Sequence, residues 1–151
     1  DNNLIQISGA LSKGSGSFEI PHPLESKRAS HYLRHSFIEG PQCDNIYRGT
    51  VTLSGGSASV NLDTVSNMTD GTFVALNTDV QVFTTNEPDW DSVKGSVSGN
   101  VLTISCQNSS SSATVSWLVI GERQDDVIVS SPLTDGSGKL ILEPEIFEGG
   151  T

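Results

Sequence analysis

The sequence predicts an all-β protein, either an antiparallel β-sandwich or a Greek-key-like barrel, with extended N- and C-terminal arms. Three observations support this prediction. Apolar residues alternate along short segments instead of recurring every three or four positions. Turn residues separate these segments about every 8 to 12 positions. The composition is rich in Ser, Thr, Asn and Gly, with only 34% hydrophobic and 17% charged residues, which is typical of an exposed, turn-rich β protein.

The first segments with strand character lie at residues 4–8, 17–20 and 32–39. Pro21 and Pro23 follow the second segment and favour an extended chain, because proline fixes its own φ and biases the preceding residue away from the helical region. The triplet "EGP" after the third segment ends that strand.

Two turns predict hairpins in the middle of the chain. The segments "YRGTVTL" and "SASVNL" flank the turn "SGGS" at 54–57, and their alternating apolar residues predict a β-hairpin. A second hairpin is predicted around Gly99-Asn100 in "GSVSGNVLTIS", because this dipeptide can adopt the positive φ angles of a tight turn.

The remaining segments complete the predicted sheet structure. Trp117 shares one side of its segment with Val115 and Val119, which predicts that it lies in the core. The segment "LDTVSNM" at 62–68 predicts a single helical turn, and "QNSSSSAT" at 107–114 a polar loop. The further strands are predicted at 72–76, 80–85, 114–122, 126–130 and 139–145.

Polar, glycine-rich segments near both ends divide the chain into three predicted parts. Residues 1–16 end in "SKGSGS" and are predicted to form an N-terminal arm. Residues 131–151 contain "TDGSGK" and "EGGT" and are predicted to form a C-terminal arm. The compact β-sandwich module is then predicted over residues 17–130.

Charge and hydropathy exclude two classes of partner. Eighteen acidic and eight basic side chains give a formal net charge of −10, which disfavours contact with nucleic acid. The longest apolar run, "WLVI" at 117–120, is far shorter than the roughly 20 residues of a membrane helix. We therefore expect no nucleic-acid partner and no membrane insertion.

Neither histidine nor cysteine spacing predicts a metal site within one chain. His31 and His35 lie in a strand-like segment, where four residues span about 13 Å, too far for both rings to bind one ion. One histidine from each of three chains could still meet around an axis. Cys43 and Cys106 are 63 residues apart, which fits no zinc or redox motif, and free thiols are favoured over a disulfide.

The sequence holds no motif of an activated nucleophile or of a phosphate-binding loop. Neighbouring acids such as Asp125 and Asp126 could in principle hydrolyse a glycosidic bond, but adjacent acids in a loop are usually solvated turn residues. We therefore predict that the protein is not an enzyme and needs no cofactor.

The segment "NEPDWDS" contains the strongest candidate for ligand contact. Trp90 is flanked by Asn86, Asp89 and Asp91. An aromatic ring with polar neighbours can stack on a sugar and hydrogen-bond its hydroxyls. The alternative is that Trp90 folds back and caps one end of the core. Asn108, in the polar loop, is a second candidate for contact.

Residues 18–53 resemble a module of tailed-bacteriophage structural proteins of the tail-fibre and tail-adhesin class, and the resemblance extends over roughly residues 10–125. The segments that carry it are "FEIPHPL", "HSFIEGP" and "YRG", followed by "FTTNEPDWDSVKGSVSGNVLTI" and "VSWLVIGERQD". The matching positions are Phe18, His22, Pro23, Leu24, His35, Ser36, Phe37, Glu39, Gly40, Pro41, Tyr47, Arg48 and Gly49. The resemblance implies a virion structural or receptor-binding part, a homotrimer, and no catalytic residues.

We interpret residues 17–49 as a structural signature that holds the first strands to the rest of the domain or to a neighbouring subunit. Lys27, Arg28 and Arg34 are available to pair with acids that include Glu39. His35→Gln is then expected to change folding or assembly. The signature residues are His22, His35, Glu39, Tyr47 and Arg48.

Two functions follow as expectations. The first is a virion structural protein, a tail-fibre or adhesin module that binds other virion proteins and a host-surface glycan or protein, and that is exposed on the particle. The second is a purely structural virion component, such as a head-decoration, collar or fibre-connector protein, that binds only other virion proteins.

Overall fold

A computed structural model describes residues 11, 13, 14 and 16–145. The chain divides between Gly40 and Pro41 into two compact units, unit 1 (residues 1–40) and unit 2 (residues 41–151). The domain boundaries predicted from the sequence, after residues 16 and 130, stay a prediction, and the division of the structure falls elsewhere. The strand predicted at 4–8 lies outside the described residues.

Unit 1 contains a two-stranded antiparallel sheet. Strand β1 (Ser17–Pro21) pairs with strand β2 (Tyr32–Ser36), and the short helix α1 (Glu25–Arg28) lies in the connection between them. The two predicted strands therefore form, although the second ends at residue 36 and not at 39. Every described residue of unit 1 is exposed or only partly buried.

Unit 2 is built from two three-stranded antiparallel sheets. One sheet has the strand order β3-β8-β5 and the other β4-β7-β6. This arrangement confirms the predicted all-β, antiparallel fold, and it is sandwich-like because the buried core draws side chains from both sheets. The elements of unit 2 are β3 (Asp44–Thr52), β4 (Ser57–Asn61), α2 (Leu62–Val65), α3 (Thr72–Leu76), β5 (Asn77–Asn86), β6 (Val93–Ser98), β7 (Val101–Cys106), β8 (Thr114–Arg123) and α4 (Asp126–Val129).

Strand β8 is the centre of its sheet and supplies much of the core. Val115, Trp117 and Val119 alternate along it and are buried, which confirms the predicted place of Trp117. The indole ring lies over Gly49 of β3, where an added Cβ would come within 2.5 Å of Trp117 Cζ2. Any larger residue at position 49 would therefore clash with the Trp117 ring, and glycine leaves room for it.

One predicted hairpin is present and the other is wrong. Strands β6 and β7 pair directly across Gly99-Asn100, with Ser98 opposite Val101. Gly99 has a φ of +60°, as the first residue of a tight hairpin turn requires.

The segment "SGGS" does form a turn, but strands β3 and β4 on either side of it enter different sheets. Strand β3 pairs with β8, and β4 pairs with β7. The chain leaves the first sheet at Leu53, which is buried and whose backbone N–H donates to the Ala113 carbonyl at 2.9 Å. Local pairing across the turn is limited to one antiparallel bridge, between Ser54 and Ser57, and burial of Leu53 between the sheets takes the place of the rest of the predicted hairpin.

The strand predicted at 72–76 is also wrong, because this segment forms helix α3. Its first turn is capped by the Asp63 carboxylate, which accepts hydrogen bonds from the backbone N–H groups of Gly71 at 2.8 Å and Phe73 at 2.6 Å. The capping carboxylate overrides the β propensity of the β-branched and aromatic residues. The helical turn predicted within 62–68 is confirmed as α2.

Two strands predicted near the C-terminus are wrong as well. Residues 126–129 form helix α4, because the Asp125 carboxylate caps the Val127 N–H. In 139–145 the described structure has a single bridge, between Leu140 and Thr134, next to a turn in which the Asp135 carboxylate accepts the backbone N–H of Lys139. In both segments an aspartate side chain accepts hydrogen bonds from backbone N–H groups. In a strand, these N–H groups would instead have to pair with a neighbouring strand.

Candidate functional site

The structure brings the five predicted contact residues together at one end of unit 2. Asn86 is the last residue of β5, and Asp89, Trp90 and Asp91 follow in the loop to β6. Asn108 lies in the loop between β7 and β8. These five residues are called the Trp90 cluster below.

Hydrogen bonds connect the polar members of the Trp90 cluster. Asp89 Oδ1 accepts from Asn86 Nδ2 at 2.5 Å and from the Asp91 backbone N–H at 2.9 Å. Asn86 Nδ2 also donates to the Asp91 carbonyl at 3.0 Å. Asn108 Nδ2 donates to Asp91 Oδ2 at 2.9 Å and so joins the second loop to the first. The side chains around the tryptophan are therefore held in place before any ligand arrives.

Trp90 itself is fully exposed, with a relative accessibility of 102%. The alternative that this ring folds back and caps the core is therefore wrong. A fully exposed indole in a hydrogen-bonded loop offers a flat apolar surface beside carboxylate and amide groups, the combination that fits the face and hydroxyls of a sugar ring.

The base of the loop is anchored to β8. The Glu87 N–H donates to the Thr114 carbonyl at 3.0 Å, and the Glu87 carboxylate accepts a hydrogen bond from the Ser116 hydroxyl. Asn86 Oδ1 is buried and has no hydrogen-bond partner among the described residues. An unpaired buried acceptor is unfavourable, and Trp117 Nε1 in the core is a second buried polar atom without a partner among the described residues.

The second loop rests on a glycine that sequence reasoning did not single out for the site. Gly56 is buried, and a Cβ added to it would lie 2.5 Å from the Asn108 carbonyl oxygen and 2.8 Å from Ser109 Cα. The signal available in the sequence was the paired glycines of "SGGS", but it indicated only a turn. That this turn supports the loop of Asn108 depends on the tertiary structure.

The signature residues do not form one cluster. His22, His35 and Glu39 belong to unit 1, whereas Tyr47 and Arg48 belong to β3 of unit 2.

Within unit 1, the signature histidines have local roles. His22 Nδ1 accepts the Leu24 N–H at 3.1 Å, and the His35 ring meets the Phe18 ring edge-on with centroids 5.0 Å apart. Arg34 pairs with Glu19 on the neighbouring strand and not with Glu39.

Tyr47 has a structural role at the edge of the unit 2 core. Its ring meets the Phe73 ring edge-on at 5.0 Å, and its hydroxyl accepts a hydrogen bond from Asn77 Nδ2 at 3.0 Å. These contacts hold helix α3 against β3. The Arg48 side chain points to the opposite side of the same strand and is exposed.

A groove of about 680 Å³ in unit 2 is lined by the ionisable residues Asp44, Asp79, Glu122 and Lys139. Lys139 Nζ donates to the carboxylates of Glu122 and Asp79, and these two hydrogen bonds hold the pKa of Lys139 above its ordinary value. A lysine held in its protonated form is an ion-pair partner and not a nucleophile.

No group of three or more potential metal ligands occurs among the described residues. Both cysteines, Cys43 and Cys106, are free thiols. In the part of the chain that the structure describes, no helix is long and apolar enough to cross a membrane.

Fold and site together define the class of this protein as a small antiparallel β protein with a fully exposed tryptophan in a pre-ordered polar loop. No family model matches the chain, and none of the curated proteins compared with it matches either. The resemblance to phage tail-fibre proteins therefore stays a prediction.

Proposed function

We propose that the protein is a non-enzymatic structural module of a phage tail fibre that contacts a glycan or protein of the host surface through the Trp90 cluster. The observation that carries this proposal is the full exposure of Trp90 in a loop whose polar side chains are already hydrogen-bonded to one another. A rigid site loses little conformational entropy when it binds.

The composition agrees with this proposal. With a net charge of −10 and few apolar residues, the chain suits contact with a neutral, hydroxyl-rich ligand better than contact with a polyanion. The resemblance of residues 18–53 implies a virion part, and a contact with the host surface would require the module to be exposed on the particle.

A second function is favoured by unit 1. A two-stranded hairpin is marginally stable by itself, and no described residue of this unit is buried. Large apolar side chains that remain exposed there indicate contact with another protein, as in a connector or decoration protein that binds only virion proteins. These side chains are Leu11, Phe18, Ile20, Leu24, Tyr32, Phe37 and Ile38.

Trp90→Ala is expected to weaken glycan binding by about tenfold, because loss of ring stacking removes roughly 1.4 kcal/mol. The measurement is binding of the wild-type chain and the variant to an array of bacterial surface glycans, followed by titration of the glycans that bind. Since Trp90 is fully exposed, the melting temperature should not change.

Tyr32→Ala is the matched control, because it removes another exposed aromatic ring, 69% accessible, outside the cluster. Equal binding by the wild-type chain and Trp90→Ala would exclude the cluster as the contact site. If the wild-type chain binds no glycan and instead binds isolated virion proteins, the second function replaces the first.

A further inference from the structure

The C-terminal segment of unit 2, residues 126–142, is joined to the sheets by few polar contacts. Helix α4 and the turn after it are held together by hydrogen bonds within the segment, such as that from Thr134 Oγ1 to the Ile128 carbonyl at 2.6 Å. Ile128 is buried, but it is not part of the core cluster of the two sheets. Among the described residues, the only hydrogen bonds from this segment to the strands come from the Lys139 side chain.

The chain is fixed to the rest of unit 2 up to Gln124, just before this segment begins. Gln124 Nε2 donates to the carbonyls of Val74 and Asn77 at 2.8 and 3.0 Å. Asp125 follows and begins the segment by capping α4. The segment is therefore attached to the sheets covalently through Asp125 and non-covalently through Lys139.

Lys139 Nζ donates to one carboxylate on each of two neighbouring strands. The Glu122 side chain of β8 is only 9% exposed, whereas the Asp79 side chain of β5, whose Oδ2 lies 2.9 Å from Nζ, is 67% exposed. The Glu122 carboxylate has no other hydrogen-bond partner among the described residues. Water can replace the lysine at an exposed carboxylate but not at a buried one. The contact with Glu122 is therefore the more important of the two.

The backbone of β5 is irregular at Asp79. This residue has a φ of +49°, in the left-handed region that residues other than glycine rarely adopt. It lies in a β-bulge, because the register with β8 shifts between Thr78 and Gln81. A bulge adds one residue to a strand and changes the direction of a side chain. Here the irregular backbone brings a second acid to the ammonium group of Lys139.

The C-terminal segment forms one wall of the groove of about 680 Å³ described above. Leu140 and Leu142 line the groove from the segment, and Ile120 and Glu122 line it from β8. A further acid of the groove, Asp44 of β3, lies opposite Glu122 in the strand register. Movement of the segment away from the sheet would expose carboxylates and apolar side chains that are now partly covered.

We propose that residues 126–142 form a lid over this groove, hinged at Asp125 and held closed by the side chain of Lys139. Segments with few buried contacts and few hydrogen bonds to the rest of a protein open at a small cost in free energy. No residue of the lid belongs to the core cluster, so opening leaves the two sheets intact. Cations that compete for Glu122 and Asp79 favour the open form, and so does salt, which screens the ion pairs.

Proteolysis of the full chain by thermolysin, which cuts before leucine and isoleucine, tests this proposal, because a folded chain is cut only where it opens. Mass spectrometry gives the rate of cutting in the lid, before residues 140–142, and the rate within β8 in the same sample. Lys139→Gln and Glu122→Gln are each expected to raise the rate in the lid at least tenfold, because each removes a hydrogen bond between charged groups. The rate within β8 should change little.

The double variant tests whether the two residues act through the same contact. If they do, the chain with both substitutions is cut in the lid at about the rate of Lys139→Gln alone. Independent effects would instead multiply and would contradict the proposal.

Salt provides a test without substitutions. Raising NaCl from about 0.05 to about 0.5 M should increase cutting of the wild-type lid and should have no such effect on Lys139→Gln. Each rate is divided by that of a short peptide substrate, which corrects for the effect of salt on the protease. An equal effect of salt on both chains would count against the ion pairs as the contact that holds the lid.

Asp44→Asn is the matched control, since it neutralises an acid of the same groove that makes no hydrogen bond to Lys139, and it should be cut as the wild-type chain is. Unchanged cutting of the lid in both single variants would overturn the proposal. So would a parallel rise in the lid and within β8, which would mean that Lys139 stabilises all of unit 2. Trp90→Ala should leave cutting of the lid unchanged, so failure of the glycan proposal is distinguishable from failure of this one.

Discussion

Replacement of Asp63 by alanine is expected to lower the melting temperature of the protein by roughly 10 °C. Asp63 is only 1% exposed, and its carboxylate accepts hydrogen bonds from the backbone N–H groups of Gly71 and Phe73 and from Asn100 Nδ2, the last at 2.8 Å. Removal of the carboxylate leaves the buried Phe73 N–H without its acceptor, and an unpaired buried donor carries the full unfavourable free energy of desolvation. The more accessible Gly71 N–H and the Asn100 side chain each lose one hydrogen bond as well.

The matched control for this prediction is Asp70→Ala. Asp70 accepts from the same Asn100 side-chain nitrogen, at 2.7 Å, but it is exposed and water can replace it. The melting temperature of the Asp70→Ala variant should stay within a few degrees of the wild-type value. Similar losses for the two variants would show that the Asp63 contacts do not hold α3 as described.

Asp63 should also make stability depend on pH. Burial raises the pKa of its carboxyl, but the hydrogen bonds from Asn100, Phe73 and Gly71 more than offset this effect, so the pKa lies below the ordinary value of 3.8. A carboxyl with a lowered pKa stabilises the fold above its ordinary pKa, and this stabilisation is lost as the pH falls through the lowered one. Urea unfolding of Asp63→Asn should show a smaller loss of stability below pH 3.8 than the wild-type chain does.

Gly56→Ala is expected to decrease the free energy of unfolding by about 3 kcal/mol, for two separate reasons. The φ of Gly56 is +73°, a conformation that alanine adopts only with strain, and the new Cβ would lie 2.5 Å from the backbone oxygen of Asn108. The neighbour is backbone, so it cannot move aside as the end of a flexible side chain could.

Gly55→Ala separates these two reasons. Gly55 also has a positive φ, +59°, but the nearest atom to its added Cβ is the Ser109 carbonyl oxygen at 3.8 Å, an ordinary contact. This control should lose only about 1 kcal/mol through strain. Urea unfolding measures both variants, and equal losses would mean that the packing of the turn against Ser109 is unimportant.

Gly56→Ala should also affect the candidate site. Because Asn108 joins the two loops of the Trp90 cluster through its bond to Asp91, displacement of the Asn108 backbone should weaken glycan binding in the fraction that is still folded. Gly55→Ala should bind as the wild-type chain does.

Much of the candidate site could be predicted because it is local in sequence. Asn86, Asp89, Trp90 and Asp91 lie within six positions, and a tryptophan among loop-forming polar residues indicates a contact site. The sequence also singled out Asn108. It could not show that Asn108 donates to Asp91, or that Trp90 is exposed and not folded onto the core, since both depend on how loops 17 residues apart pack.

Two of the wrong predictions, the strand at 72–76 and the hairpin around 54–57, were overturned by a contact with a more distant part of the chain. The segment 72–76 has the composition of a strand, but a carboxylate about ten residues earlier caps it as a helix. The turn at 54–57 was recognised, but the partner of each flanking strand was decided by burial of Leu53 beside Ala113. The β propensity of a residue changes the stability of a strand by about 1 kcal/mol, whereas burial of one large apolar side chain stabilises the fold by more than that.

The sequence by itself determined the all-β fold, the alternating faces of β8, the place of Trp117 in the core and the Gly99-Asn100 hairpin. These follow from side-chain periodicity and from the φ angles that individual residues allow, which are properties of neighbouring positions. Only the tertiary structure decided which strands pair, that residues 72–76 form α3, and that two loops form one cluster. Those features depend on contacts between residues far apart in the chain, whose free energies the local pattern does not contain.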